Sequence, residues 1–215
     1  MKKIILLLAI IVIPQFYCCA QDTKNISLPL PNKTGGKPLM EALNDRQTRR
    51  EFSKKKLNDQ QLSDLLWAAF GINRPESGKR TAPSAVNWQE TEIYVCLETN
   101  VYLYNAEKNE LSFVLQGDHR SEMGKQSFAG EAPVVLVYVS DYSKMGQKAD
   151  KESKDFYAAV DAGYISQNVY LYCSSENMAT VVLGYIDKEN IKNLLKLKED
   201  QKVLLTQCVA FPKEK

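Results

Sequence analysis

A chain of 215 residues, 44% hydrophobic and 25% charged, is long enough to build one good core; domains usually fall between about 50 and 250 residues. Its 28 Lys and Arg against 26 Asp and Glu leave a formal charge of +2, so there is no electrostatic case for nucleic acid and basic clusters must be read locally. His119 is the single histidine. That argues against a zinc or Ser-His-Asp centre, and its neighbours Asp118 and Arg120 mark it as a surface residue.

The N-terminus, "MKKIILLLAIIVIPQFYCCAQDTK", reads as a targeting segment. Lys2 and Lys3 supply the positive end, the run from Ile4 to Ile13 is apolar, and Pro14 breaks it. Spanning a bilayer takes ~20 residues, so this shorter run fits the apolar region of a secretory signal. Ala20 is a small residue at a cleavage point that leaves Gln21 first. Lipidation at Cys18 or Cys19 is the alternative, although Tyr17 poorly matches the small residues expected there. An uncleaved anchor ranks third. The expected division is a signal peptide at 1–20, a flexible leader at 21–37 and one domain at 38–215. The product is expected to be exported, to the periplasm.

The leader, "QDTKNISLPLPNKTGGK", is rich in Pro, Gly and polar residues. Pro38 suits the first turn of a helix whose apolar face is Leu39, Met40, Ala42 and Leu43. "DRQTRREF" (45–52) then gathers three arginines in one polar turn. Either this is a solvated helix end, where cations suit the dipole, or a built anion site of forked guanidinium donors. "LNDQQLSDLLWAAFGI" is a strong helix, with Asn58 and Gln61 as a capping box and Gly71 as its stop. "NRPESGKRTAPSAVNWQ" (73–89) reads as a loop too long to be a mere connection.

"TEIYVCLE" is a strand, "VYLYNAEKNELSFVL" a hairpin turning near 106–109, and 119–129 a short helix. "APVVLVYVSD" has the unbroken apolar pattern of a central strand buried on both faces. From Lys151 to Met178 a long helix is expected, with Phe156, Ala159, Val160, Gly163, Tyr164, Gln167 and Leu171 as its stripe. It reads as a core helix. Its small residues, Ala158, Ala159, Ala162 and Gly163, also suit packing on a twin across a dimer axis. "TVVLGYI" is a strand, Asp187 caps "KENIKNLLKL", and "KVLLTQCVAFP" is the last strand. This mixed order places the chain in the α+β class. Cys96, Cys173 and Cys208 lie in apolar stretches with no CxxC, and read as buried small hydrophobes, one disulfide remaining open.

Two loops in order carry a resemblance. Arg46-Gln47-Thr48-Arg49-Arg50-Glu51-Phe52 and Pro83-Ser84-Ala85-Val86-Asn87-Trp88-Gln89 resemble the flavin-binding turn and loop of the nitroreductase family. "DAGYISQNVYLY" (161–172) resembles the family's central helix, and "KVLLTQCVAFPK" its last strand and turn. The likeness looks closest to the branch of azoline-oxidising dehydrogenases. It implies a three-layer sandwich, a mixed central sheet flanked by helices, and a homodimer with FMN at the subunit interface. A reduced nicotinamide would be the electron donor and a small molecule the acceptor. By the same resemblance Arg46, Gln47, Thr48 and Arg50 would hold FMN from one subunit, and Pro83, Ser84, Ala85 and Asn87 from the other. The backbone at Met178 and Ala179 would face the flavin, and Lys213, with Lys215 nearby, its phosphate. The sequence departs from the family at Asn177-Met178-Ala179-Thr180, where Gly-Leu-Gly-Thr is usual, and at Ala210, where Gly is usual. No side chain is needed as a nucleophile, because the flavin carries the electrons. Nicotinamides are cytoplasmic, so the alternative is an exported flavin or ligand carrier of the same fold with little turnover.

The N-terminal reading makes a direct prediction. Mass spectrometry of native protein should find a chain starting near Gln21; full-length chain in the cytosol would refute export.

Overall fold

The computed structural model describes residues 24–213; the expected signal peptide at 1–20 lies outside them. The strands in chain order are β1 (Ile26–Ser27), β2 (Ile72–Arg74), β3 (Lys79–Arg80), β4 (Thr91–Cys96), β5 (Asn100–Asn105), β6 (Glu110–Gln116), β7 (Val134–Asp141), β8 (Ala179–Leu183) and β9 (Gln201–Ala210). The α-helices are α1 (Leu39–Asp45), α2 (Asp59–Phe70), α3 (Lys151–Ser175) and α4 (Lys188–Leu194). Seven strands form the central sheet in the order β1-β6-β5-β4-β7-β9-β8, while β2 and β3 pair apart from it.

The expected α+β sandwich is present, with helices on both faces of the sheet. The sheet was expected to be mixed, but all its ladders are antiparallel. The unbroken apolar run of β7 has the expected cause: both sides of the sheet are covered. Val134, Leu136 and Tyr138 face a cluster with Leu65, Leu66 and Phe70 of α2 and Ile165 and Val169 of α3. Val135, Val137 and Val139 face the other cluster, with Met123, Ala129, Ile191 and Leu195. Strand period two sends alternate side chains to opposite layers, so every position must be apolar.

Local sequence signals set the helix starts. Asn58 Oδ1 accepts the Gln61 N–H at 2.8 Å while Gln61 Oε1 accepts the Asn58 N–H at 3.0 Å, completing the capping box. Asp150 caps α3 through the Ser153 N–H (2.8 Å), and Asp187 caps α4 through the Asn190 N–H (3.1 Å). Four expectations need correcting. The stripe assigned to the core on α3 is its outer face: Phe156 is 61% exposed and Tyr164 47%, and Ala159, Gly163 and Gln167 are also exposed. The buried face is instead Ala158, Ala162, Ile165, Val169 and Cys173. Residues 24–37 of the expected flexible leader are tied down. β1 pairs with β6, Asn32 N–H and Nδ2 donate to Asp64 (2.7 and 3.1 Å), and Lys37 N–H donates to Ser175 Oγ (2.7 Å). The loop at 73–89 contains the β2–β3 hairpin. Residues 119–129 hold two 3-10 turns, Arg120–Met123 and Ser127–Glu131, rather than one helix.

Cys96, Cys173 and Cys208 are buried and unpaired, and burial raises all three thiols, Cys208 to about 12. His119 bonds Glu122 and the Gln116 carbonyl at the surface. Among the described residues no helix is long and apolar enough to cross a membrane.

Gly71 ends α2 for a reason of space. Its φ of −73° suits any residue, but a Cβ there would stand 2.6 Å from Trp67 Cα. Gly71→Ala should therefore cost about 1–3 kcal/mol, as overpacking does, read as a lower urea midpoint with an unchanged slope.

Candidate functional site

Chain direction changes sharply after α1, where Arg46 leaves helical geometry (φ −59°, ψ 118°). The turn that follows lies along β8, the outermost strand, and Arg49 N–H donates to the Thr180 carbonyl at 3.1 Å. Phe52 buries against Phe128 and forms a β-bridge with Pro212. Ser53 N–H donates to the Phe211 carbonyl (2.9 Å) and Lys213 N–H to the Glu51 carbonyl (3.3 Å). Backbone bonds thus hold 46–53, 178–180 and 211–213 side by side. Tyr170 of α3 locks this arrangement: its Oη accepts the Val182 N–H (3.1 Å) and lies 3.1 Å from Thr48 Oγ1. Donation to Thr48 leaves the threonine hydroxyl hydrogen for another acceptor.

Arg120 is committed to Asp118 (2.6 Å) and Lys37 to Asp45 (2.9 Å). Among the described residues Arg46, Arg50 and Lys213 have no side-chain ion pair or hydrogen bond; Arg46 only overlies the Tyr170 ring at 5.4 Å. A cavity of about 340 Å³ opens beside Arg46, lined also by Gln47, Arg49, Tyr170, Asn177, Met178 and Thr180; Arg50 and Lys213 stand outside its lining. A larger one of about 490 Å³, floored by Leu57, Leu62, Leu97 and Val134, lies between the 54–59 segment and β7. Its Arg120 and Lys56 are already paired with Asp118 and Glu98.

The second predicted loop is elsewhere. Ala85–Asn87 form a 3-10 turn, and Val86 (φ 51°), Asn87 (φ 59°) and Gln89 (φ 50°) are left-handed. A β-branched residue there is a true outlier, and such strain persists only where surroundings impose it. Here they do: Ser84 Oγ accepts the Gln89 N–H (3.0 Å), Arg80 Nε donates to Gln89 Oε1 (2.7 Å), and Asp161 Oδ2 accepts the Ala85 N–H (2.9 Å). The two loops meet α3 at Asp161 and Tyr170, about 13 Å apart along the axis at ~1.5 Å per residue. The chain therefore gathers Arg46, Gln47, Thr48, Arg50, Met178, Ala179 and Lys213, and holds Pro83, Ser84, Ala85 and Asn87 apart. Met178 and Ala179 have buried side chains and offer only backbone, and the Met178 N–H is taken by the Cys173 carbonyl (2.7 Å). The left-handed position near this turn is Asn177 (φ 54°), a residue that tolerates it, and not Ala179, which is in β8.

Two basic and polar segments, one strained loop and a covered antiparallel sheet agree with what comparison with known proteins finds. A model of the nitroreductase family matches residues 43–211. The chain belongs to that family. A protein of Methanocaldococcus jannaschii, described as a candidate nitroreductase, is 31% identical over 189 residues, covering 83% of this chain and 92% of its own. The crystal structure of another candidate nitroreductase, from Ralstonia eutropha, is 35% identical with a TM-score of 0.86, covering 91% of this chain and 92% of that one. The NADPH:FMN oxidoreductase of Vibrio harveyi, solved with NAD+, shares the fold at 21% identity and a TM-score of 0.62, over 82% of this chain and 69% of that one.

The chain carries one pair that its sequence did not reveal. Asp161 on α3 is 2% exposed and Glu90, just before β4, is 0% exposed. Their carboxyls interact directly, and Glu90 Oε2 finds no other hydrogen-bond partner. A signal did exist: Asp161 falls on the buried stripe between Ala158, Ala162 and Ile165, where an acid is out of place. Burial raises both carboxyls, and the adjacent Asp161 adds to the rise that takes Glu90 to about 7. The folded chain then binds this proton more tightly than the unfolded chain. Through Glu90, stability should fall as pH rises from the ordinary value of 4.5 to about 7. The loss is on the order of 3 kcal/mol. Denaturant melts across that range should show it in the native chain, with a flatter profile in Glu90→Gln.

Proposed function

We propose that the chain is an FMN-dependent oxidoreductase working as a homodimer, each flavin held between the 46–50 turn of one subunit and the 83–87 loop of the other. One observation carries this reading: the unpaired Arg46 faces a cavity, with Arg50 and Lys213 unpaired on the adjoining segments, while the second loop is rigidly presented at a separate point on the same helix. Two half-sites in one chain make a whole site when a second copy is added. The outer face of α3, with Phe156, Tyr157 and Tyr164 exposed and Val86 beside it 83% exposed, supplies apolar surface for that contact. Obligate dimers of this kind bury more than about 2,000 Å² in total.

The donor set fits FMN. Guanidinium forks and an ammonium suit a phosphate and the electron-rich edge of the ring system, and the Thr48 hydroxyl adds a neutral donor. Asn87, exposed on its loop, offers both a donor and an acceptor. When bound, FMN supplies reversible two-electron uptake and release. The role of the chain is to bind and orient it, and to set positive charge where negative charge develops on reduction. Electrons would come from a reduced donor of nicotinamide type and pass to a small-molecule acceptor. The motif pair looks closest to azoline-oxidising dehydrogenases, so we include oxidation of a heterocycle among the reactions to be assayed. We place the mature chain outside the cytoplasm, as its N-terminus suggests.

The test is flavin titration by fluorescence quenching, with circular dichroism as the folding control. Arg46→Ala and Arg50→Ala each remove a charge-assisted bond worth about 1.5–3 kcal/mol, so affinity should fall roughly ten- to hundredfold in folded protein. A helix-end role alone would cost no flavin affinity. A mixed dimer of Arg46→Ala and Asn87→Ala subunits should keep one intact site and one doubly damaged site. A yellow dimer that no donor reduces would favour a flavin carrier over an enzyme. A colourless monomer that cannot be reconstituted would refute both.

A further inference from the structure

Glu90 and Asp161 belong to neither flavin-contacting set, yet they stand directly behind one of them. Asp161 Oδ2 accepts the Ala85 N–H at 2.9 Å, which makes it the buried anchor of the strained 84–89 loop. Two ionised carboxylates offer only acceptors to one another, and Glu90 Oε2 has no other partner. A single hydrogen between the two groups satisfies both. The N–H from Ala85 favours the charge on Asp161, so the proton belongs on Glu90.

Among the described residues no cation relieves the pair. Arg80, from β3, gives Nε to Gln89 and Nη1 to the Phe70 carbonyl. Lys154 of α3 reaches the Tyr142 carbonyl, and Lys144 pairs with Glu92. No lysine or arginine is among the groups that act on either carboxyl. The remaining titratable neighbour, Tyr142 beyond β7, donates its hydroxyl to Asp155 (2.7 Å), and burial pushes it up out of the neutral range. The Asp141 N–H donates to the Glu90 carbonyl (2.9 Å), which fixes the backbone of Glu90 against β7.

We propose that Glu90 and Asp161 are positioning residues that share one proton, and that this proton holds the 84–89 loop in its flavin-binding form, coupling FMN affinity to pH. This inference rests on the flavin reading above. Loss of the proton leaves two adjacent buried carboxylates, whose repulsion moves Asp161 off the Ala85 N–H and frees a loop with three left-handed residues to relax. By linkage, FMN binding must then take up a proton at pH values where the free protein has lost it.

The experiment is FMN titration of the mature dimer from about pH 5 to about pH 9, with calorimetry in two buffers of different ionisation heat to count protons. The native chain should lose about tenfold in affinity above neutrality and take up protons on binding there. Glu90→Gln keeps a neutral donor toward Asp161, so it should hold the low-pH affinity throughout with no such uptake. Asp161→Asn should likewise be flat, and replaces it if Glu90→Gln does not fold. Asp161→Ala, without the anchor, should bind about tenfold more weakly at every pH. The ionisation of the FMN phosphate is common to all variants and cancels in the comparison. Identical pH profiles for the native chain and Glu90→Gln would overturn the coupling and leave the flavin reading standing. Failure of the native chain to bind FMN at any pH would overturn both. In flavin-free protein, the infrared carbonyl band of a protonated carboxylic acid, lost in Glu90→Gln, reads the shared proton by itself.

Discussion

Both halves of the candidate site hang from one helix. Tyr170 Oη, on the buried face of α3, joins the 46–50 turn to β8, and Asp161 Oδ2, about two and a half turns earlier, holds the 83–89 loop through Ala85 N–H. Neither loop makes much of a core of its own: Thr48, Arg50, Pro83 and Asn87 are all exposed. Their placement is borrowed from α3, and α3 is itself fixed by packing Ala162, Ile165 and Val169 on the sheet. A helix seated in a close-packed layer is a rigid ruler. It sets the separation of the two half-sites more firmly than either loop could.

The helix also explains why the two faces of this element have such different chemistry. The inward face carries small and aliphatic residues together with a carboxylate and a phenol that reach the loops. The outward face carries Phe156, Tyr157 and Tyr164, which water would be expected to border in a lone chain. If a second copy covers this face, the same contact brings the far loop of one subunit to the basic turn of the other. Folding of the sheet, assembly and completion of the site then become one energetic problem, in which loosening α3 harms all three.

Charge is arranged on the same logic. A chain with a formal net charge of +2 leaves its arginines unpaired at the 46–50 turn and pairs them at Arg120. In the opposite sense, it buries two carboxyls beside the other loop without a counter-cation. An isolated buried carboxylate is costly, and two in contact are worse unless one keeps its proton. Such an arrangement makes the local structure sensitive to pH in a range where exposed carboxylates are already ionised. Backbone strain at Val86, Asn87 and Gln89 lies within the same few residues.

Much of the fold was legible in local patterns. The Asn58 and Gln61 capping box, the hairpin turning at 106–109, and the doubly buried β7 are set by contacts between near neighbours or by simple period, which a sequence displays directly. The two family motifs were also visible, because particular residue types sit in them at fixed spacing. Other features depended on partners far along the chain. Which stripe of α3 is buried could not be read from spacing, since both its faces carry apolar residues and only the sheet selects one. The leader at 24–37 is polar and looks free, yet Asp64 and Ser175 hold it. Gly71 stops α2 as read, but the reason, clearance from Trp67, lies in the packing. Direction within the sheet depended on pairing rather than on hydrophobicity. By itself, then, the sequence determined most of the elements, the caps of α2 and α4, and the family. The tertiary structure decided that Arg46 and Asn87 stand apart along α3 and that Glu90 meets Asp161, because such meetings follow from chain crossings that no local pattern encodes.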